Sequence, residues 1–161
     1  MTLVFATPQL QFKKISVGDG LTQNTITALF QDRLGYLWIG TQDGLSLYNG
    51  SSFRHFKNNP SDSTTLSDNF IIDIYQDANE QIWIATRNGL NLFDKKTFQF
   101  RRFYGMSYTT RKYHNTFTRI AGINNDFVII QKAGFLIGHT STFTFYPIQN
   151  IIHKYFRNIQ L

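Results

Sequence analysis

Along the first hundred positions hydrophobic and polar residues alternate with a period of two, not the 3.6 of a helix. Ile26-Thr-Ala-Leu-Phe30, Leu37-Trp-Ile-Gly-Thr41, Leu45-Ser-Leu-Tyr48 and Phe53-Arg-His-Phe56 each read as a short strand. Turn residues separate them: Arg33 to Gly35, Gln42-Asp43-Gly44, and the Asn49-Gly50 hairpin pair. The same succession returns further on, with turns at Ala78-Asn79-Glu80 and Arg87-Asn88-Gly89. Gly44 and Gly89 stand where a tight turn wants positive φ, which accounts for their type without a functional role. No segment carries a convincing helical stripe, although Ile151 to Ile159 could form a short one.

The succession is a repeat. Leu21 to Phe53 lies over Leu66 to Phe98 at a constant offset of 45, and about a third of the positions are identical. Asn24 meets Asn69, Ile26 meets Ile71, Gln31-Asp32 meets Gln76-Asp77, and Trp38-Ile39 meets Trp83-Ile84. Thr41 meets Thr86, Gly44-Leu45 meets Gly89-Leu90, and Phe53 meets Phe98. A further step of 45 brings Gly134, Phe135, Ile137 and Phe143 into the frame, but Val128 replaces the tryptophan and the Gln-Asp pair is lost. This reads as a degenerate third copy or as one shifted by a small deletion near Ala121 to Asn124. Four strands per unit at this period predict an all-β fold of β-propeller blades, each a four-stranded antiparallel sheet. The expected ring is incomplete, with two clear blades and a degenerate third.

These residues resemble the two-component regulator propeller repeat, whose blades run Leu-Ser/Thr-x-Asn, Gln-Asp, Gly-x-Leu/Ile-Trp-Ile/Phe-Gly-Thr and Gly-Leu. Leu21-Thr-Gln-Asn24, Gly35-Tyr-Leu-Trp-Ile-Gly-Thr41, Leu66-Ser-Asp-Asn69 and Ile82-Trp-Ile-Ala-Thr86 carry the likeness, with both Gln-Asp and both Gly-Leu pairs. It is strong over residues 11 to 104 and persists only as a frame over 115 to 146. The division that follows is an N-terminal segment 1–10, a ring-closing strand in 11–20, a first blade 21–65, a second blade 66–104, and 105–161 as degenerate blade and tail. The resemblance implies a periplasmic ligand-sensing ectodomain of a membrane histidine kinase, often a hybrid kinase of Bacteroides-like bacteria that responds to glycan breakdown products. It thereby implies a phosphorelay, an oligosaccharide ligand, and a place on the periplasmic side of the inner membrane. The remaining blades and kinase modules of a longer parent would be its partners. A propeller needs about four blades to close, so a piece of a longer protein, a truncated product or a self-associating chain are all open. Exposed sheet edges favour self-association.

Composition changes this picture little. The chain has 161 residues, 16 Phe and 8 Tyr against 3 Pro, which fits packed sheets and not a disordered chain. The net charge of +6 is dispersed over pairs such as Lys13-Lys14, Lys95-Lys96, Arg101-Arg102 and Arg111-Lys112. That distribution reads as an ordinary basic surface, with no nucleic-acid partner. With no cysteine, a disulfide framework and a thiolate metal site are excluded while the compartment stays open. No apolar run approaches the length that spans a bilayer. Met1 to Ala6 is apolar and reads either as the clipped end of a secretory signal or as an ordinary start.

Candidate chemistry is sparse. Trp38 and Trp83 could stack on sugars, but their repeated mid-strand position argues for packing between blades. Asp32 and Asp77 could form a carboxylate pair, but repeat-related residues beside turns are expected to cap those turns. His55, His114, His139 and His153 share no ligand spacing, and neither a phosphate loop nor a nucleophile elbow is present. No catalytic residue, metal or cofactor is expected. In a propeller the turns between second and third strands share one face with the links between blades. That face collects Gln42-Asp43, Arg87-Asn88, Lys132-Ala133 and the links containing Asn24 and Asn69, whose polar tips suit polyhydroxylated ligands. The main reading is a signal-input module. The alternatives are part of a propeller enzyme (lyase or hydrolase) and a non-catalytic protein-interaction scaffold.

Overall fold

The computed structural model describes residues 12–104, 117–123, 126–131, 134–139 and 144–147. The strands are β1 (Ile26–Gln31), β2 (Leu37–Thr41), β3 (Gly44–Tyr48), β4 (Phe53–Phe56), β5 (Ile71–Gln76), β6 (Ile82–Thr86), β7 (Gly89–Asp94), β8 (Gln99–Phe103), β9 (Phe117–Ile123), β10 (Asp126–Gln131), β11 (Gly134–His139) and β12 (Thr144–Pro147). They form three four-stranded antiparallel meanders, β1 to β4, β5 to β8 and β9 to β12. The first strands β1, β5 and β9 lie beside one another in series, which is the blade arrangement of a propeller.

Period-two alternation decides what each face buries. Trp38 and Gly40 point from β2 toward the second sheet, whose Ile71, Ile74, Ile82, Ile84, Phe93 and Phe100 pack against Trp38 and Leu45. Trp38 is 1% exposed, with Phe93 edge-on to it at 4.9 Å and Phe56 stacked at 6.4 Å. Burying about 200 Å² of indole at roughly 25 cal/mol/Å² corresponds to about 5 kcal/mol before ordering entropy. The second interface repeats the first: Trp83, Ala85 and Leu90 enclose Ile120 of β9. A Cβ on Gly40 would lie 2.5 Å from Ile71 Cγ2, so the first interface requires a residue without a side chain there.

The repeat is equally visible in register. The β1–β2 and β5–β6 pairs share the same bulge, between Ile26 and Ala28 and between Ile71 and Asp73. Gly44 and Gly89 adopt φ of 118° and 129°, and a Cβ on either would crowd Phe56 O or Ser67 Oγ.

Three features bear on the expectations. First, residues 12–16 have no regular structure and Val17–Asp19 form a 3-10 turn, and the ring-closing strand expected in 11–20 would pair with a last blade whose edge is not among the described residues. Second, Phe53 does not correspond to Phe98. Tyr48 pairs with Phe53, whereas Phe93 pairs with Phe100, so the β7–β8 hairpin is two residues longer and puts Phe98 in its turn at φ 59°. Third, the deletion in the third unit is located. Gly122 pairs with Phe127 as Gln76 pairs with Ile82, leaving four residues in place of five between those rungs. The missing residue falls where the Gln-Asp turn would be. Segment 1–10, the tail after 147 and the Ile151 to Ile159 helix lie outside the described residues.

Candidate functional site

The repeat signature forms a buried clamp. Asp32 Oδ2 accepts the Trp38 indole N–H at 2.9 Å, while Oδ1 accepts the Leu34 and Tyr36 N–H groups at 3.0 Å each. Asp77 does the same: Oδ2 accepts from Trp83 at 2.9 Å, and Oδ1 from Asn79 and Gln81 at 2.8 and 2.9 Å. One carboxylate therefore closes a turn and fixes the indole that seats the next blade. Gln76 ties neighbouring turns together, accepting from Arg33 N at 2.9 Å and donating to Glu80 O at 3.3 Å. Each aspartate thus accepts three N–H groups from its own turn and indole, and both carboxylates hold structure.

A second repeated element joins each blade to the segment leading into it. Thr41 Oγ1 donates to Gly44 O and lies 3.1 Å from Thr22 Oγ1; Thr86 Oγ1 donates to Gly89 O and lies 2.9 Å from Ser67 Oγ. Asn91 closes the second network, accepting from Ser67 N and donating to Ser67 Oγ and Ile84 O. Buried hydroxyls and an amide are tolerated here because each meets a partner.

The rim expected to carry ligand contacts is assembled through two consecutive carbonyls. Asn69 O accepts the Gly44 N–H and Phe70 O accepts the Arg87 N–H, so the 69–70 link holds the 42–43 and 87–88 turns on one side. Asp43 pairs with Lys57 at 2.6 Å, both about half exposed, and the Arg87 guanidinium lies over the Phe70 ring at 4.1 Å. Asn24 and Asn69 serve the backbone: their Oδ1 atoms accept from Val17 N and Asn58 N. Gln42 and Asn88 are exposed at the turn tips. Lys132-Ala133 lies outside the described residues. His55 Nδ1 sits 3.0 Å from Ser46 Oγ, and among the described residues no three His, Asp or Glu side chains converge as a metal-holding group.

Arg102 was not singled out in the sequence, yet it organises the link between the first two blades. Its guanidinium donates to the carbonyls of Asn59, Asp62, Thr65 and Leu66 and to Thr65 Oγ1. Within that link, hydrogen bonds from the Thr64 hydroxyl and then its N–H hold the Asp62 carboxyl below its ordinary pKa. Asp94 is lowered by Lys96 N–H and Thr97, and Asp19 by the Ser16 hydroxyl and N–H. The Tyr75 phenol is raised, first by burial and then by the Asp77 charge. An arginine in a strand reads as a solvated edge residue until the chain is folded, so only its offset from the link could have drawn attention to it.

Comparison with known proteins agrees with this geometry. The sequence pattern described as two component regulator propeller matches residues 20–43 and 65–88. Histidine kinase P4 of Formosa agariphila is 45% identical over 56 residues, which are 35% of this chain and 4% of that protein. Two crystal structures of extracellular domains assigned to two-component systems of B. thetaiotaomicron share the fold. One matches with a TM-score of 0.71 at 22% identity over 86% of this chain and 20% of its own; the other gives 0.63 at 24% over 74% and 17%. The chain thus spans about a fifth or less of each relative. Each of the two segments that match the two-component regulator propeller pattern thus holds an Asp–Trp clamp with a four-stranded sheet built around it, the blade form shared with those extracellular domains.

Proposed function

We propose that this chain is part of the ligand-sensing propeller of a hybrid two-component histidine kinase, facing the periplasm and responding to oligosaccharides. The observation that carries the reading is the duplicated clamp within both matched repeats, in a fold shared with extracellular domains of two-component systems. Asp32, Trp38, Asp77 and Trp83 are scaffold in this reading. Ligand contacts fall to the rim: Gln42, Asp43, Arg87 and Asn88 at the tips, with Asn24 and Asn69 acting through the links that hold those tips. The tips differ between blades while the strands agree, which suits a rigid frame bearing a variable surface. Signalling then requires that ligand bind one arrangement of the rim more tightly than another, with the difference passed to kinase modules elsewhere in the parent.

The test is a thermal-shift screen of the complete parent ectodomain against oligosaccharides. A ligand at a hundred times its Kd stabilises the folded state by about 2.7 kcal/mol. A hit should be weakened by Gln42→Ala, while the melting temperature without ligand is unchanged. No stabilisation by any oligosaccharide would refute the glycan reading.

A further inference from the structure

Where the second blade departs from the first, several of its departures meet around one cavity. Residues 79–81 are Asn-Glu-Gln where the offset of 45 places Leu34-Gly-Tyr36. Glu80 keeps the left-handed backbone of Gly35, φ 62° against 87°, although it carries a side chain. The β7–β8 hairpin is two residues longer than the β3–β4 hairpin, and its turn carries Lys95, Lys96 and a left-handed Phe98. Glu80 and Phe98 are the non-glycine residues with positive φ among the described residues, and strain of that kind gathers where a site demands it.

Between the two turns lies a cavity of about 530 Å³, within the roughly 300–1,000 Å³ of small-molecule sites. It stands at the end of β6 and β7 away from the 87–88 turn, and so away from the rim. Its walls divide by chemistry. On the hairpin side Asp94 is bound within its own turn, accepting from Lys96 N at 2.8 Å and from Thr97 Oγ1 at 2.9 Å. Lys95 and Lys96 are exposed there and make no ion pair among the described residues. On the other side Gln81 Oε1 is buried and meets no donor among the described residues. Glu80 is half-exposed, and its Arg33 contact is a loose 3.7 Å. A half-exposed ion pair contributes little, so it does not account for a left-handed glutamate. The cavity therefore suits an anionic group at one end and hydroxyl donors at the other.

We propose that this cavity binds an acidic sugar of disaccharide size, with Lys95 and Lys96 receiving its carboxylate and Glu80 and Gln81 accepting from its ring hydroxyls. The site is separate from the rim, and only the choice of a saccharide over another hydroxy acid rests on the sensor reading. A bare inorganic anion would leave Gln81 Oε1 without a donor. A neutral sugar would leave the two ammonium groups without a counter-charge.

The test is a titration of the isotope-labelled full chain, read from amide NMR shifts. The probes are digalacturonate and a glucuronate-containing disaccharide, with lactose and inorganic phosphate as controls at equal ionic strength. At least one acid should give saturable shifts at Glu80, Gln81 and Lys96, with a Kd about tenfold or more below that of either control. Lys95→Gln with Lys96→Gln should weaken that acid by about tenfold or more and leave lactose unchanged. Glu80→Gly should raise the melting temperature, since glycine fits the left-handed turn, yet weaken the acid by about fivefold or more. A glutamate that serves only the fold would leave the affinity unchanged and overturn its assigned role. Phosphate binding as tightly as the acids would reduce the lysines to a general anion surface, and lactose binding as tightly would remove their part. Either result overturns the proposal, as does the absence of saturable shifts with both acids. Shifts at Gln42 and Asp43 in place of Glu80 and Lys96 would overturn the cavity and leave the sensor reading standing.

Discussion

Replacing Asp77 by Asn is the sharpest perturbation of the clamp, because it changes one oxygen to an amide nitrogen at nearly constant volume. Asp77 is 1% exposed and accepts three N–H groups, two from the turn on Oδ1 and the Trp83 indole on Oδ2. Asparagine can keep its oxygen toward the two turn donors, which leaves its NH2 facing the indole N–H. A buried donor left opposite another donor costs about 1–3 kcal/mol, and the loss of charge assistance adds to it. We expect Asp77→Asn to destabilise the chain by roughly 2–3 kcal/mol. In a Trp83→Phe background the opposing donor is gone, so the same change should cost only about 1 kcal/mol. The coupling of about 1.5 kcal/mol is within the range seen for contacting residues. It is measured by urea denaturation followed by far-UV circular dichroism, with equal m-values across the cycle as the condition for comparison. Asp32→Asn with Trp38→Phe should reproduce the pattern, since the geometry is repeated. Equal costs of Asp77→Asn with and without the indole would refute the argument that the carboxylate holds the tryptophan.

Three further outcomes are expected. Gly89→Ala should lose about 2 kcal/mol or more in the same denaturation assay, because the left-handed backbone and the approach of Ser67 act together. Arg102→Met should release the 59–66 link: amide exchange at Thr65 should quicken by about tenfold or more while the Trp83 indole N–H keeps its protection. Unchanged exchange would remove Arg102 from its role in the link. For Asp62, the folded pKa lies below the unfolded one, so its contribution is present above the ordinary carboxylate range and is lost as pH falls through the lowered value. A carboxyl-carbon NMR titration should show a depressed midpoint, and Thr64→Val should move it back up.

The alternation of side chains and the offset of 45 were enough to read four strands per unit and the positions of Gly44 and Gly89. Those features are local or periodic: a strand's two faces and a turn's backbone demands are written in consecutive residues, and a repeated sheet repeats them. What needed the folded chain was which particular residues meet across the offset. A constant offset could not show that the β7–β8 hairpin has two more residues, because a hairpin's length shows only in which residues pair. Nor could it show that Gln76 reaches the turn at Arg33 of the neighbouring blade, or that Arg102 reaches the carbonyls of the link. Of the rim candidates, sequence chemistry supplied the polar tips. Packing alone assigned Asn24 and Asn69 to backbone duty and brought Asp43 to Lys57 and Arg87 to Phe70, since hydrogen-bond partners distant along the chain are chosen by how blades stack.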